Sequence, residues 1–125
     1  EEEQTMAAKF RFYDLDVWRK AIDYANDVYD VTVKFPDCER FGLTSQLRRA
    51  AVSISSNIAE GSGRSTNKDF ARFVEIAYGS TMETVSQLCI GIKRDYVTRP
   101  DFERLTQTAD DLARMLSGLR KSLYG

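Results

Sequence analysis

Residues Gly42 to Arg64, GLTSQLRRAAVSISSNIAEGSGR, decide how the chain folds. Leu43, Leu47, Ala50, Ile54 and Ile58 recur at steps of four and three, which places them on one face of a helix. Between them lie Ser53, Ser55, Ser56 and Asn57, poor helix formers in a helix interior. Side chains this small let a neighbouring helix or subunit come close, and their hydroxyls can bond across the contact. The run carries an arginine pair, Arg48 and Arg49, near its head and leaves through Gly61, Gly63 and Arg64. Together these features describe a packing and recognition surface rather than a catalytic centre.

Three more helices flank this one. Upstream, FRFY (Phe10 to Tyr13) alternates like an extended arm, and Asp14 is placed to cap a first helix. Leu15, Trp18, Ile22, Ala25, Tyr29 and Thr32 form its seam, with Trp18 as a core anchor. Pro36 ends it, because proline disfavours the helical conformation in the residue before it. Downstream, Gly61 and Gly63 are expected to supply the left-handed or extended backbone that closes helix two.

Thr66 then caps a third helix, with Asp69 three residues on, running to about Tyr96. It has two apolar stripes, Phe70–Val74–Ala77 and Tyr78–Met82–Val85–Cys89–Ile92, which predicts burial on two sides. Thr98 and Pro100 start a fourth helix, with a seam of Phe102, Leu105, Ala109, Leu112, Leu116, Leu119 and Leu123. The predicted architecture is all-α: an antiparallel, up-down-up-down four-helix bundle over residues 14–125, preceded by an arm at 1–13.

Composition narrows the function. A chain of 125 residues, 42% hydrophobic and 30% charged, suits one globular domain. Its formal charge of −1 supplies no global pull toward nucleic acid, so any such binding needs a local patch. Histidine is absent, which removes the commonest metal ligand and neutral-pH acid–base group. Cys38 and Cys89 form no CxxC, as in a cytoplasmic protein with reduced thiols. The leading EEEQT has no apolar signal core, Met6 could be a native start, and no run is long enough to span a membrane.

The candidate chemistry is sparse. GSGRST follows a helix rather than a strand and lacks the spacing of a phosphate loop. The free amides at the start of helix three, flanked by Arg64 and Lys68, could still attract an anion. Arg48 and Arg49 point about 100° apart. One reading pairs one of them with Glu75 or Glu83; another joins the outward one to Arg64, Lys68 and Arg72 as a phosphate-contacting surface. The serines have no histidine to activate them. Glu60, Glu75 and Glu83 show no Glu-x-x-His pairing, so no cofactor or metal is expected.

The central stretch, with DLDVWRKA upstream and FARFVEIAYGS downstream, resembles the family of bacterial proteins encoded in intervening sequences of 23S ribosomal RNA genes. The accessory variability determinant of diversity-generating retroelements belongs to the same family. The resemblance covers about Phe12 to Leu123. It implies a four-helix bundle assembled as a homopentamer, which in the retroelement branch binds nucleic acid and a reverse transcriptase. Arg48, Arg49, Glu60, Gly61, Gly63, Arg64, Gly79, Ser80 and Glu83 fall on the recurrent motif. Two departures stand out: Thr81, Thr84 and Val85 replace leucines and a second glutamate, and the net charge is far less basic than in the retroelement members.

The expectation is a non-catalytic homo-oligomer that binds RNA or DNA, beside a reverse transcriptase or ribosomal RNA. Arg48, Arg49, Arg64, Lys68 and Arg72 would contact phosphate. Glu60, Gly61, Gly63, Glu75, Gly79, Ser80 and Glu83 would have structural or interface roles. The alternative, from a different class, is an oligomeric protein-interaction scaffold with no nucleic-acid role.

Overall fold

A computed structural model describes residues 8–124. Helices α1 (Asp16–Thr32), α2 (Leu43–Ser62), α3 (Asn67–Lys93) and α4 (Arg99–Tyr124) follow a 3-10 turn at Arg11–Asp14, and a second such turn, Asp37–Glu39, joins α1 to α2. Each helix packs beside two others, in the ring α1–α2–α3–α4–α1. The register is antiparallel throughout. Ser53 of α2 meets Ser80 of α3, Glu75 of α3 meets Arg120 of α4, and Asp27 and Lys20 of α1 meet Arg104 and Asp111 of α4. This is the expected up-down-up-down bundle.

The seam of α2 is buried as its spacing requires, Leu43 through Ile58, and Leu105, Ala109, Leu112 and Leu116 of α4 belong to the same core. On α1 the buried stripe is instead Val17, Ala21, Tyr24, Val28 and Val31, with Ala25 and Thr32 shared with the predicted seam. Two stripes of helical spacing lie side by side on α1, and the one that carries Tyr24 and Val28 takes the closed interior. Trp18 lies half-buried at the margin against Phe12 and Tyr13, and Tyr29 is exposed.

Helix α3 buries one face, not two. Phe70, Val74, Ala77 and Leu88 point inward, whereas Tyr78, Met82 and Cys89 of the second stripe are exposed. The reason is geometric: in a ring of four helices each presents one face inward, and among the described residues no further element covers the outside of α3. The inner face of α3 is also partly polar. Tyr24 crosses the interior to bond Thr84, Oη to Oγ1 at 2.8 Å, and Thr84 in turn donates to the Thr81 carbonyl at 2.7 Å. Burial, chiefly, pushes the Tyr24 hydroxyl up to about 12, so it stays a neutral hydrogen-bonding group.

The helix ends correct several expectations. Asp14 lies in the 3-10 turn and does not cap α1; Leu15 takes the N-cap position with no side-chain bond. Phe10 to Tyr13 is not an extended arm but this turn and its entry, packed on α1 and α2; the rest of the arm, 1–7, lies outside the described residues. Thr66 and Thr98 do cap α3 and α4, accepting from the amides of Asp69 at 3.1 Å and Asp101 at 3.2 Å. Helix α3 stops at Lys93, where Asp95 turns left-handed (φ 62°) and the Tyr96 amide reaches back to the Gly91 carbonyl at 2.9 Å. At the same end of the bundle Glu39 accepts from the Leu43 amide at 3.0 Å and from the Tyr96 hydroxyl at 3.0 Å. Those bonds, the amide first, hold its carboxyl below the ordinary range.

No described glycine has a positive φ, so Gly61 and Gly63 do not close α2 by a left-handed turn. Gly61 lies inside α2 and is there for space. A Cβ at that position would stand 2.7 Å from Phe73 Cβ and 2.8 Å from Phe70 Cδ1. Gly79, exposed on α3, has nothing within 4 Å of its would-be Cβ. Opposite signs follow for one chemical change. Gly61→Ala is expected to destabilise by about 1–2 kcal/mol, overpacking outweighing the helix-propensity gain. Gly79→Ala is expected to raise the stability of the isolated bundle by about 0.5–1 kcal/mol. Urea unfolding of both variants measures this, and equal effects would contradict the packing argument.

Candidate nucleic-acid interface

The α2–α3 junction is built on that close contact. Because α2 has no side chain at Gly61, Phe70 and Phe73 of α3 lie directly against its backbone. Two guanidinium groups stack on these rings: Arg64 over Phe73 at 4.6 Å, and Arg11 over Phe70 at 5.2 Å. Arg64 also pairs with Glu60 at 3.2 Å, and Arg11 donates to the Ser62 carbonyl at 3.1 Å. Lys68 and Arg72 follow one turn apart on α3, both exposed. Among the described residues neither has a carboxylate within salt-bridge distance, while Asp69 in the first turn of α3 partly offsets them.

Arg64 lies at the junction, held by Glu60, while Lys68 and Arg72 stand on the exposed face of the first turns of α3. Arg48 and Arg49 do not join them. Arg48 turns toward α1, where Nε donates to Thr32 Oγ1 at 2.8 Å and the guanidinium lies 4.6 Å over Tyr29. Arg49 lines a shallow cavity of about 270 Å³ between α2 and α3 with Gln46, Ala50, Ser53, Ser80 and Glu83. The expected partner Glu75 faces α4, where it accepts from Arg120 beside a cavity of about 420 Å³ lined by Val74, Tyr78, Leu116 and Ser117. Gly63 is the C-cap residue of α2, and Gly79 faces outward.

Sequence reasoning missed Arg11. Its signal was present, a cation set between Phe10 and Phe12, but its place beside Ser62 depends on a contact 51 residues away in sequence.

The serines are absorbed structurally. Ser53 and Ser80 bond each other at 2.9 Å, Asn57 donates to Ser53 Oγ at 3.0 Å, and Ser55 and Ser62 bond back to their own helix. Both cysteines are free thiols at the surface. Among the described residues no cluster of three or more ligating side chains could hold a metal ion, and no helix is long and apolar enough to cross a membrane.

Charge is partitioned between the faces. Along α1 and α4 it is laced into pairs: Arg104 holds Asp27 through two bonds, 2.7 and 3.0 Å, and also Asp101 at 2.7 Å. The Arg104 bond, chiefly, holds the Asp101 carboxyl below its ordinary range and, reciprocally, Asp27 and Asp101 raise Arg104. Lys20–Asp111 and Arg114–Asp110 continue the lacing. The cations without carboxylate partners at the α2–α3 junction therefore stand out against a face that is largely neutralised.

A family model described as 23S rRNA-intervening sequence protein matches residues 13–118. A crystal structure from Bacteroides thetaiotaomicron, of a protein with unknown function from the S23 ribosomal protein family, matches with a TM-score of 0.76 at 25% identity. The match covers 84% of this chain and 98% of that one. No curated protein matches. Neither finding indicates a catalytic family.

The two kinds of arginine environment separate experimentally. Arg48→Ala removes a ring contact and a hydrogen bond and is expected to cost about 1–2 kcal/mol of unfolding free energy. Lys68→Ala is expected to change stability by less than about 0.5 kcal/mol. Denaturant midpoints of the two variants provide the measurement.

Proposed function

The chain belongs to the 23S rRNA-intervening sequence protein family, and from that premise we propose that it is a non-catalytic, cytoplasmic, self-associating accessory protein that binds nucleic acid through backbone phosphates. One observation carries the reading. Arg11 and Arg64 lie at the α2–α3 junction, Lys68 and Arg72 stand exposed on the first turns of α3, and among the described residues Arg64 alone of these has a carboxylate partner. Cations so placed suit phosphate oxygens, which fix position without reading sequence. The capped N-terminus of α3 adds a partial positive charge beside Lys68. The expected partners are RNA or DNA, with a ribosomal RNA or a nucleic acid handled by a reverse transcriptase as the biological context.

Self-association is supported by the outer surface of α2 and α3. Val52, Ile76, Met82 and Ile90 are about 40–50% exposed there, and Gly79 leaves room for another backbone. Arg49 and Glu83 lie on the same surface and suit contact with a second copy. Five copies is the expected number. The same apolar residues favour a second reading, an oligomeric protein-interaction scaffold with no nucleic-acid role.

Salt dependence separates the two. With duplex DNA, the log–log slope of affinity against salt is expected to fall by about 0.9 for each phosphate contact removed, hence by about 1.8 in Lys68→Ala/Arg72→Ala. Absence of binding at low salt leaves the scaffold reading standing alone. For assembly, light scattering is expected to report a multimer that Ile76→Glu dissociates while helical circular dichroism is retained; a stable wild-type monomer excludes self-association.

A further inference from the structure

Residues Lys9 to Tyr13 read KFRFY, with cations alternating with aromatic rings. The 3-10 turn gathers the rings against Trp18, with Phe12 tilted on it by 57° and Phe10 stacked on Phe12. The Phe12 centroid lies 4.8 Å from that of Trp18, and Phe10 lies on Phe12 at 5.8 Å with its plane only 10° off parallel. Tyr13 braces both phenyl rings edge-on, at 5.6 and 5.3 Å. Exposure increases along the series: Trp18 and Phe12 are half-buried, and Phe10 is 52% exposed. The stack therefore ends in a flat apolar ring held from below and from the side, with water over much of its surface.

The cation within this segment points to the occupant. Arg11, between the two phenylalanines in sequence, reaches the Ser62 carbonyl and the Phe70 ring. It thereby lies at the same end of α2 as Arg64, two residues beyond Ser62. One turn of chain carries both an exposed π-face and an entry to the phosphate-contacting surface. A flat π-system tethered to a phosphate backbone is what an unpaired nucleotide offers. In a duplex the base faces are already stacked on one another, whereas an unpaired base can lie on an aromatic ring whatever its identity.

We propose that the Phe10–Phe12 stack is a platform for unpaired bases, so that the nucleic acid contacted at the α2–α3 junction is single-stranded. This rests on the phosphate-binding reading above and adds the class of ligand to it.

The test uses the full chain and a mixed-sequence single strand, as DNA and as RNA, against the duplex of the same sequence at low salt. Trp18, the sole tryptophan, lies under the platform and reports binding by its emission. The single strand is expected to bind more tightly than the duplex. Phe10→Ala is expected to weaken it roughly 5- to 100-fold, the loss of one base–aromatic stack, with duplex affinity and the salt slope unchanged. Phe10→Tyr should keep the wild-type preference. Equal binding of single strand and duplex, indifferent to Phe10→Ala, overturns the platform and leaves the phosphate reading intact. No binding of either overturns both. A change of oligomeric state in Phe10→Ala with single-strand affinity unaltered assigns the ring to contact with a second copy and also overturns the platform.

Discussion

The close approach of α2 to α3 is the constraint on which the rest depends. Gly61 brings the α2 backbone against Phe70 and Phe73, while Ser53 and Ser80 bond across the same helix pair. Any side chain at Gly61 would force the helices apart, and with them the rings on which Arg64 and Arg11 are stacked. Packing here sets where charge appears. At Gly61 the α2 backbone meets Phe70 and Phe73, two aromatic shelves on which the guanidinium groups rest.

A second division follows from the closed ring of helices. With one face of each helix turned inward, the outer faces differ in kind. Along α1 and α4 the charges neutralise one another across the helix pair, through Arg104 with Asp27 and Lys20 with Asp111. Along α2 and α3 the surface is poorer in such pairs and carries Val52, Ile76, Met82 and Ile90 in the open. Exposed surface ion pairs contribute little to stability individually. Their consequence here is distribution: in a chain of net charge −1, Lys68 and Arg72 have no carboxylate partner among the described residues.

The four helices were legible because their periodicity is local. Leu43 through Ile58 and Leu105 through Leu116 occupy the core as their steps of three and four require. Thr66 and Thr98 cap as their sequence context implies, since a cap reaches only three residues ahead. The errors came where two local patterns competed. On α1 the stripe of Trp18 and Tyr29 matched helical spacing as well as that of Tyr24 and Val28, and only the packing partners choose between them. On α3 a second apolar stripe suggested burial, but the ring has no further helix to cover Tyr78 and Met82. The glycines of α2 looked like helix breakers until the position of Phe73 showed that Gly61 answers a steric demand from another helix.

By itself, then, the sequence determined the number and order of the helices, the caps of α3 and α4, and the residues of the α2 and α4 seams, because those depend on neighbours within a turn or two. Tertiary structure alone decided which stripe of α1 faces inward, that Arg48 serves α1 through Thr32 and Tyr29, and that Glu75 belongs to Arg120. It also brought Arg11 to the α2–α3 junction. Each of these depends on side chains remote in sequence meeting across a packed interface, and spacing along one helix carries no information about the helix that will face it.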